Sequence, residues 1–352
     1  MAKRVRRNLS RRRSTKRSQR RLRKRLTKRR LSKRRLSKRR LSKRRLSKRR
    51  VRRGGKPAEE PTEGYKVERL RQLGITEGTT EVNLNNRVAV NDDTINEILH
   101  ALTALPNLQT LDLDENALTA LPETLGNLKS LQKLNLYSNQ LTALPSSLGK
   151  LPNLQELDLS YNALTALPES LGNLPNLQML SLEGNQLTAL PEELFSEGKF
   201  PNLQTLSLDH NQLTSVPDSL GKLPNLQELV LDFNQLTSLP ETLGNLPNLQ
   251  TLSLDHNALT ALPEWIGNLP NLQKLYLDKN QLTTLPETLG TLPNLRILIL
   301  GYNQLTEIPS SLRELPNIEK LDLRGNQITN IDQNLVVLAL RGLRGRDLEV
   351  LV

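Results

Sequence analysis

The chain has 352 residues and a formal net charge of +14, which is divided unevenly along its length. Residues 1–53 hold 31 Lys and Arg and no Asp or Glu, whereas the remainder holds 19 basic and 36 acidic residues. Cysteine is absent, which excludes disulfides, thiol catalysis and Cys-ligated zinc and favours a reducing, intracellular location. No run of 18 apolar residues occurs, so no transmembrane helix is expected.

The first predicted segment is a disordered basic tail, residues 1–53. A five-residue unit recurs between Leu26 and Arg50, once as Leu-Thr-Lys-Arg-Arg and four times as Leu-Ser-Lys-Arg-Arg. In a helix, leucines five apart would step by roughly 140° and line no single face, so no packing surface would form. Like charges also oppose compaction. Residues 54–75, rich in Gly and Pro at their start, follow as a predicted linker.

The tail is expected to bind nucleic acid, to direct the protein to the nucleus, or both. It contains no Phe, Tyr or Trp, so base stacking is excluded and contacts would be made to phosphates. Its clusters resemble nuclear or nucleolar localisation signals; in a cell without a nucleus the protein would be cytoplasmic. An anionic membrane, an organelle transit peptide and the acidic face of the chain itself are alternatives. The candidate nucleic-acid-binding residues are Arg29, Arg30, Lys33, Arg34, Arg35, Lys38, Arg39 and Arg40.

The tail serines are candidate phosphorylation sites. Two arginines lie just before each leucine-serine pair, a pattern that resembles a basophilic kinase substrate. Four phosphates would add roughly −6 to −8 charges and weaken polyanion binding. The alternative is that serine is only a small solvating spacer. The candidates are Ser32, Ser37, Ser42 and Ser47.

Residues 76–104 are predicted to cap the N-terminal side of the repeats. An irregular strand is expected around Val82 and Leu84. A helix with Asp92 or Asp93 as its N-cap is predicted to follow, because apolar residues recur with i, i+3, i+4, i+7 spacing. Those apolar residues are Ile95, Ile98, Leu99 and Leu102. Residues 332–352 depart from the repeat and are predicted to cap the other end.

A 23-residue unit recurs about ten times within residues 105–331. The copy from Leu151 to Asn173 reads LPNLQELDLSYNALTALPESLGN. Alternate leucines should point to one side of a short strand and the residue between them to the other. One step of 26 places three extra residues near Phe195 to Phe200, where a loop is expected. The recurring asparagines are Asn116, Asn139, Asn162, Asn185, Asn211, Asn234, Asn257, Asn280, Asn303 and Asn326.

The segment L-x-x-L-x-L-x-x-N-x-L resembles the leucine-rich repeat family. This resemblance implies an α/β solenoid with a curved parallel sheet on the concave face and short helices or extended turns on the convex face. It also implies that the recurring Asn forms a ladder by satisfying backbone groups of adjacent turns. Pro145 is expected to open a convex turn, as an early helical or an extended residue, and Gly149 to end it.

The resemblance also implies that partners bind the concave face. The position after the second strand leucine is aspartate in four consecutive repeats: Asp209, Asp232, Asp255 and Asp278. Carboxylates about 4.8 Å apart would repel by about 1 kcal/mol even in water, which favours a cationic partner. Alternatively, Asp is only a soluble residue on a wet strand in duplicated repeats. Aromatic residues expected beside the row are Tyr161, His210, Phe233, His256, Tyr276 and Tyr302.

No catalytic signature accompanies the three histidines, and neither a cofactor nor a metal is predicted. Asp209-His210 and Asp255-His256 could supply metal ligands, but repeat duplication is the favoured explanation of these pairs. The sequence therefore predicts a monomeric, non-catalytic scaffold that binds a protein partner, a basic one if the aspartate row is a binding surface, with a tail for nuclear targeting or nonspecific nucleic-acid binding. The alternative is a nucleic-acid packaging protein in which the tail is the functional part.

Overall fold

The computed structural model of the chain describes residues 63–87, 90–328 and 349–351. The predicted tail, with its nucleic-acid-binding and phosphorylation candidates, lies outside the described residues, as does most of the predicted C-terminal cap. Within the part that is described, no helix has the length and apolar character needed to cross a membrane.

The N-terminal cap contains two α-helices and one strand. Helix α1 spans Glu63–Gln72, strand β1 spans Glu81–Asn83 and helix α2 spans Ile95–Leu102. Helix α1 lies within the range predicted as linker, so that prediction is wrong for its residues. Leu70 of α1 is buried in the core and α1 packs against α2, which gives the helix an apolar face to bury. Gly74, with φ of 75°, lies two residues past the end of α1.

The predicted aspartate caps of α2 are not found. The N-cap residue is Thr94, which makes no side-chain capping bond. The preceding Asn91 instead accepts hydrogen bonds from the amides of Asp93 and Thr94 at 3.0 and 3.2 Å. Asp92 accepts the amide of Thr119 at 2.8 Å, so this carboxylate ties the cap to the first repeat.

The predicted parallel sheet is confirmed. Within the described residues, twelve three-residue strands follow one another in chain order, each hydrogen-bonded to the next. The first leucines of neighbouring strands are in register: Leu111 lies opposite Leu134, and Leu134 opposite Leu157, so leucines stack from repeat to repeat. The strands after β1 are β2 Thr110–Asp112, β3 Lys133–Asn135, β4 Glu156–Asp158, β5 Met179–Ser181, β6 Thr205–Ser207, β7 Glu228–Val230, β8 Thr251–Ser253, β9 Lys274–Tyr276, β10 Ile297–Ile299, β11 Lys320–Asp322 and β12 Glu349–Leu351.

Short 3-10 helices form the opposite side of the repeats. Pro145 is extended, with φ of −71° and ψ of 146°, and directly precedes one of them. Gly149 lies inside that helix: a Cβ there would sit 1.9 Å from the carbonyl oxygen of Ser170. Gly149 is thus required for the close approach of neighbouring turns, not as a terminator. The 3-10 helices are Glu123–Asn127, Ser146–Lys150, Glu169–Asn173, Glu192–Phe195, Asp218–Lys222, Glu241–Asn245, Glu264–Asn268, Glu287–Thr291 and Ser310–Glu314.

The expected asparagine ladder is present. The side-chain amide of Asn139 donates to the carbonyl oxygens of Leu113 and Leu136 at 2.9 and 3.1 Å. Its oxygen accepts the amide of Leu118 at 2.9 Å. Because Asn139 is buried, these bonds satisfy backbone groups that water cannot reach.

The three extra residues fall within the turn 196–199, whose residues are exposed or half-buried, so the expected loop is present. Phe195 and Phe200, which flank the insertion, are both buried, and their ring centroids are 5.8 Å apart. Gly198 makes the turn between them with φ of 80°. The two phenylalanines on either side of the loop therefore add aromatic volume to the core of this repeat.

Candidate functional site

The exposed side of the sheet, called here the sheet face, presents four positions in each of the repeats that contain strands β2–β11. Two positions lie in the strand and two follow it. One residue precedes the first strand leucine, and the middle position lies between the two leucines. The post-leucine position follows the second leucine, and the left-handed position comes next, just before the recurring Asn. In the β2 repeat these residues are Thr110, Asp112, Asp114 and Glu115.

In four repeats, the middle side chain satisfies the amide of the post-leucine residue of the same repeat. Asp158 accepts the amide of Ser160 at 2.8 Å, and Asn135 accepts that of Tyr137 at 3.0 Å. Asp112 and Asp322 do the same in β2 and β11. An Asp or Asn at the middle position therefore completes a local turn.

In the β8 and β9 repeats the middle residues are Ser253 and Tyr276, and the amide is satisfied from the preceding repeat. Asp232 accepts the amide of Asp255 at 2.7 Å and also the hydroxyl of Ser253 at 2.7 Å. Asp255 in turn accepts the amide of Asp278 at 2.6 Å. Part of the predicted aspartate row is therefore a hydrogen-bonded ladder between repeats.

Burial alters the charge of this row. Desolvation raises the pKa of Asp232 and of Asp278. The pKa of Asp255 is raised to about 7, mainly by burial and then by the charge of Asp232. Since Asp255 is close to half-protonated at neutral pH, the row carries less negative charge than its four carboxyl groups suggest.

The left-handed position holds most of the predicted aromatic residues. It is named for its positive φ, which is the left-handed region of backbone conformation. Phe233 has φ of 52°, a conformation that costs a residue with a Cβ about 1 kcal/mol. Its ring stacks on His210 and His256 with centroids 4.2 and 3.9 Å away. Tyr161, Phe233 and Tyr302 are 44%, 42% and 57% exposed. Tyr276 does not belong to this row, because it occupies a middle position and is half-buried.

Two glycines make room for the tyrosine rings. A Cβ at Gly184 would sit 2.9 Å from a ring carbon of Tyr161, and one at Gly325 would sit 2.7 Å from a ring carbon of Tyr302. Tyr161 also donates its hydroxyl hydrogen to Glu183 and meets the ring of Tyr137 at 5.2 Å. Each tyrosine therefore leans over the left-handed position of the next repeat.

The ammonium group of Lys279 lies between the stacked rings that end at His256 and the ring of Tyr302. The Lys279 ammonium lies 3.1 Å from Nε2 of His256 and 5.9 Å from the ring centroid of Tyr302. The sequence analysis did not select Tyr137, Glu183 or Lys279. The 23-residue register would have placed each of them beside a selected residue.

One group of possible metal ligands occurs in the described residues. Glu183, Asp209 and His210 each offer one ligand atom within 4.8 Å of the others. Nδ1 of His210 is 3.1 Å from Asp209, and the hydroxyl of Ser207 lies 2.5 Å from the other oxygen of Asp209. These groups already satisfy one another, so their proximity needs no ion. Asp255 and His256 belong to no such group among the described residues, and Nε2 of His256 lies 3.1 Å from the Lys279 ammonium.

Solved structures of plant receptors resemble the chain. The ectodomain of the receptor kinase GASSHO1/SCHENGEN3 from Arabidopsis thaliana, in complex with Casparian strip integrity factor 2, is 36% identical with a TM-score of 0.60, covering 71% of this chain and 30% of that one. A TDR receptor is 28% identical with a TM-score of 0.62, covering 77% and 52%. The plant peptide hormone receptor RGFR1, in complex with RGF2, is 26% identical with a TM-score of 0.50, covering 72% and 52%. The chain thus spans only 30% to 52% of their lengths.

No curated protein sequence matches the chain. Sequence profiles of the leucine rich repeat match it at residues 106–150, 131–187, 183–236, 201–259, 224–282 and 270–328. The matches are continuous from 106 to 328 and cover more than half of the 352 residues. This is the same range that forms the in-register leucine stack and the asparagine ladder, and the chain belongs to the leucine-rich repeat family.

Proposed function

We propose that the chain is a non-catalytic recognition protein that binds a protein partner on its sheet face. The observation that carries this proposal is the row of exposed aromatic rings at the left-handed position. Exposed apolar surface that is contiguous marks interaction sites in soluble proteins, and aromatic side chains are enriched at the energetic centres of interfaces.

The rigidity of the row supports the same function. Stacking between His210, Phe233 and His256 restrains the rings before any partner arrives. A restrained side chain loses less conformational entropy on binding, so more of its contact energy appears as affinity. Two of the similar receptor structures were solved with a bound factor or peptide hormone, which is consistent with recognition by this fold.

A capture experiment tests this function. The full chain and a Tyr161→Ala, Phe233→Ala, Tyr302→Ala variant would be immobilised and exposed to the same cell extract. We expect the triple variant to lose the specific partner, because all three exposed rings are removed. Tyr65→Ala is the matched control, since Tyr65 is a tyrosine of similar exposure, 41%, on helix α1. Equal capture by the triple variant would reject the sheet face as the binding surface.

A second function is proposed for the tail. We infer that residues 1–53 bind nucleic acid through phosphates or direct the protein to the nucleus, because 31 cationic side chains occur there without one acid. A gel-shift titration at rising salt compares the full chain with a chain lacking residues 1–53. We expect strong binding at low salt, a steep salt dependence and loss of binding on deletion. No shift at low salt would reject nucleic acid, and binding to anionic vesicles alone would favour a membrane.

We further propose phosphorylation of the four tail serines as a regulator of that binding. Glutamate at Ser32, Ser37, Ser42 and Ser47 would lower the tail's positive charge and move the midpoint of the salt titration to a lower concentration. Alanine at the same four positions is the control, since it removes the hydroxyl without adding charge. An unchanged midpoint would contradict the regulatory role.

A further inference from the structure

Charge is divided along the sheet face. At the four sheet-face positions of strands β2–β8 there are ten acidic residues and one basic residue, Lys133. The same positions of strands β9–β11 carry Lys274, Lys279, Lys320 and Arg324 against Asp278 and Asp322. The formal charge therefore changes sign near strand β9, from strongly negative to weakly positive.

Internal ion pairs do not remove this division. Lys133, the basic residue of the acidic part, is paired with Glu156 at 2.7 Å, and Arg324 of the basic part is paired with Asp322 at 2.5 Å. Each pair cancels one charge of each sign in its own part. Glu228 and Lys274 are exposed on either side of the change in sign. The part-protonated Asp255 reduces the negative charge by less than one unit.

Apolar side chains lie where the sign changes. The middle residues there are Val230 in β7, Tyr276 in β9 and Ile299 in β10, and Ile297 precedes the first leucine of β10. Tyr276 and Ile299 lie directly opposite each other in the register of β9 and β10. Phe233, whose ring stacks on His256, follows Val230 by three residues in the same repeat. The sheet face is therefore acidic over β2–β8 and weakly basic over β9–β11, and these apolar side chains overlap the boundary between the two parts.

We propose that the partner of the sheet face is an extended polypeptide segment with the complementary order of charge. Its basic part lies over strands β2–β8, its apolar residues lie near β7–β10, and its acidic part lies over β9–β11. This inference rests on the proposed recognition function and specifies the partner. Nine strand spacings of about 4.8 Å make about 43 Å, a length that an extended peptide of about 13 residues covers.

Two other occupants fit the face less well. A uniformly basic segment would place like charges against Lys274 and Lys320. A second copy of the chain, turned to face the first, would set ten acidic residues against only four basic ones. Opposed like charges lower affinity and exclude partners more strongly than matched charges raise affinity.

Synthetic peptides test the order of charge. Probe peptides of one composition would be labelled and titrated with the full chain by fluorescence anisotropy: the segregated sequence KGKGKVYIVGEGEG and the interleaved sequence KGEGKVYIVGEGKG. A uniformly basic peptide, KGKGKVYIVGKGKG, is the third probe. We expect the segregated peptide to bind about tenfold more tightly than the interleaved one at low salt. The tail cannot create this difference through composition, because both peptides carry the same charges.

Charge reversal on the face provides the matched variants. Lys274→Glu with Lys320→Glu should abolish the preference for the segregated peptide and raise the affinity of the uniformly basic one, a gain that misfolding cannot produce. Lys150→Glu with Lys222→Glu makes the same change of net charge on two exposed 3-10 helix residues and should leave the preference intact.

Three results would overturn the inference: equal affinity of the segregated and interleaved peptides, tightest binding of the uniformly basic peptide by the unaltered chain, or self-association that the Lys274→Glu, Lys320→Glu variant abolishes. The capture experiment with Tyr161, Phe233 and Tyr302 is independent of the order of charge. A lost capture together with equal peptide affinities would therefore retain the recognition function and reject this partner class.

Discussion

The backbone amide of the post-leucine residue finds its hydrogen-bond acceptor in two different ways, depending on the repeat. The difference explains where the sequence varies on the sheet face. In the β2, β3, β4 and β11 repeats an Asp or Asn at the middle position accepts the post-leucine amide within the repeat. In the β8 and β9 repeats an aspartate of the previous repeat accepts it. The first group tolerates Asp, Tyr, Ser and Arg at the post-leucine position, whereas the second group requires a carboxylate one repeat earlier.

This comparison changes the meaning of the aspartate row. From sequence, aspartate in four successive repeats suggested either a surface that binds a cationic partner or merely a polar residue suited to a solvent-exposed strand. In the structure Asp232 and Asp255 are acceptors that join neighbouring repeats. Substituting the row with serine would therefore alter stability and binding together, and asparagine is the better replacement, because it keeps an acceptor oxygen and removes only the charge.

The largest expected effect is in the asparagine ladder, which both groups of repeats share. Asn234 donates to the carbonyl oxygens of Leu208 and Leu231 and accepts the amide of Leu213. Each of these carbonyl oxygens also accepts the side-chain amide of a neighbouring ladder asparagine, so of the three groups Asn234→Ala leaves only the amide of Leu213 without a partner. That unpaired buried amide and the two lost hydrogen bonds together should cost about 3 kcal/mol in the free energy of unfolding, measured in urea. A loss below about 1 kcal/mol would show that water replaces the ladder.

The aspartate ladder should have the next largest effect, and it separates the two groups of repeats directly. Asp232→Ala removes the acceptor of Ser253 and Asp255 and should cost about 1–3 kcal/mol. Asp232→Asn should restore most of that stability. Asp114→Ala is the matched control at the same position of the β2 repeat, where Asp112 holds the amide; we expect almost no loss. Equal losses at 232 and 114 would contradict the comparison.

The protonation of Asp255 predicts a pH dependence of stability. Because its pKa rises from 3.8 to about 7 on folding, the folded state binds this proton more tightly than the unfolded state. The contribution of Asp255 is therefore most favourable below about pH 4, declines as pH rises to about 7, and stays unfavourable above that. Asp255→Asn should match the parent protein near pH 4 and exceed it at pH 8 by on the order of 1–2 kcal/mol. Thermal unfolding across this range measures the difference, and a gap that does not grow with pH would refute the assignment.

The smallest effect is expected at the left-handed position, where the two groups of repeats are alike. Ser138 has φ of 53°, so Ser138→Gly should relieve strain and stabilise by about 0.5 kcal/mol after the entropy of glycine is subtracted. Gly184→Ala is the opposite change and should destabilise, because its methyl group would meet the ring of Tyr161. Destabilisation by Ser138→Gly would indicate a side-chain contribution larger than the backbone strain.

The architecture could be predicted from sequence because the same pattern of leucine and asparagine recurs in every repeat. The 23-residue spacing of leucine and asparagine required an in-register parallel sheet, and no single substitution obscures it. Helix α1 was missed because it has few apolar residues and adjoins a Gly- and Pro-containing stretch, although it packs against α2 and buries Leu70. Phe195 and Phe200 were missed because the spacing identified an insertion without indicating which of its side chains turn inward.

The candidate site was predictable in part. Tyr161, Phe233 and Tyr302 could be selected from sequence since they share one repeat position, and the structure places them in one row. The stacking of His210, Phe233 and His256, and the amide bonds of Asp232, depend on how far each side chain leans toward the next repeat. The repeat spacing of the sequence does not predict this side-chain orientation. Tyr276 was grouped with the aromatic row from sequence, but it occupies a middle position and therefore does not belong to that row.

Glycine on the 3-10 side has a consequence for the sheet face. A Cβ at Gly149 would collide with the carbonyl of Ser170, so the absence of a side chain allows successive 3-10 helices to approach closely. The separation of those helices, relative to the fixed spacing of the strands, determines the curvature of the repeats. Substitutions far from the aromatic row could therefore bend or flatten the surface on which it lies, and evolution could adjust the fit to a partner without altering any residue that touches it.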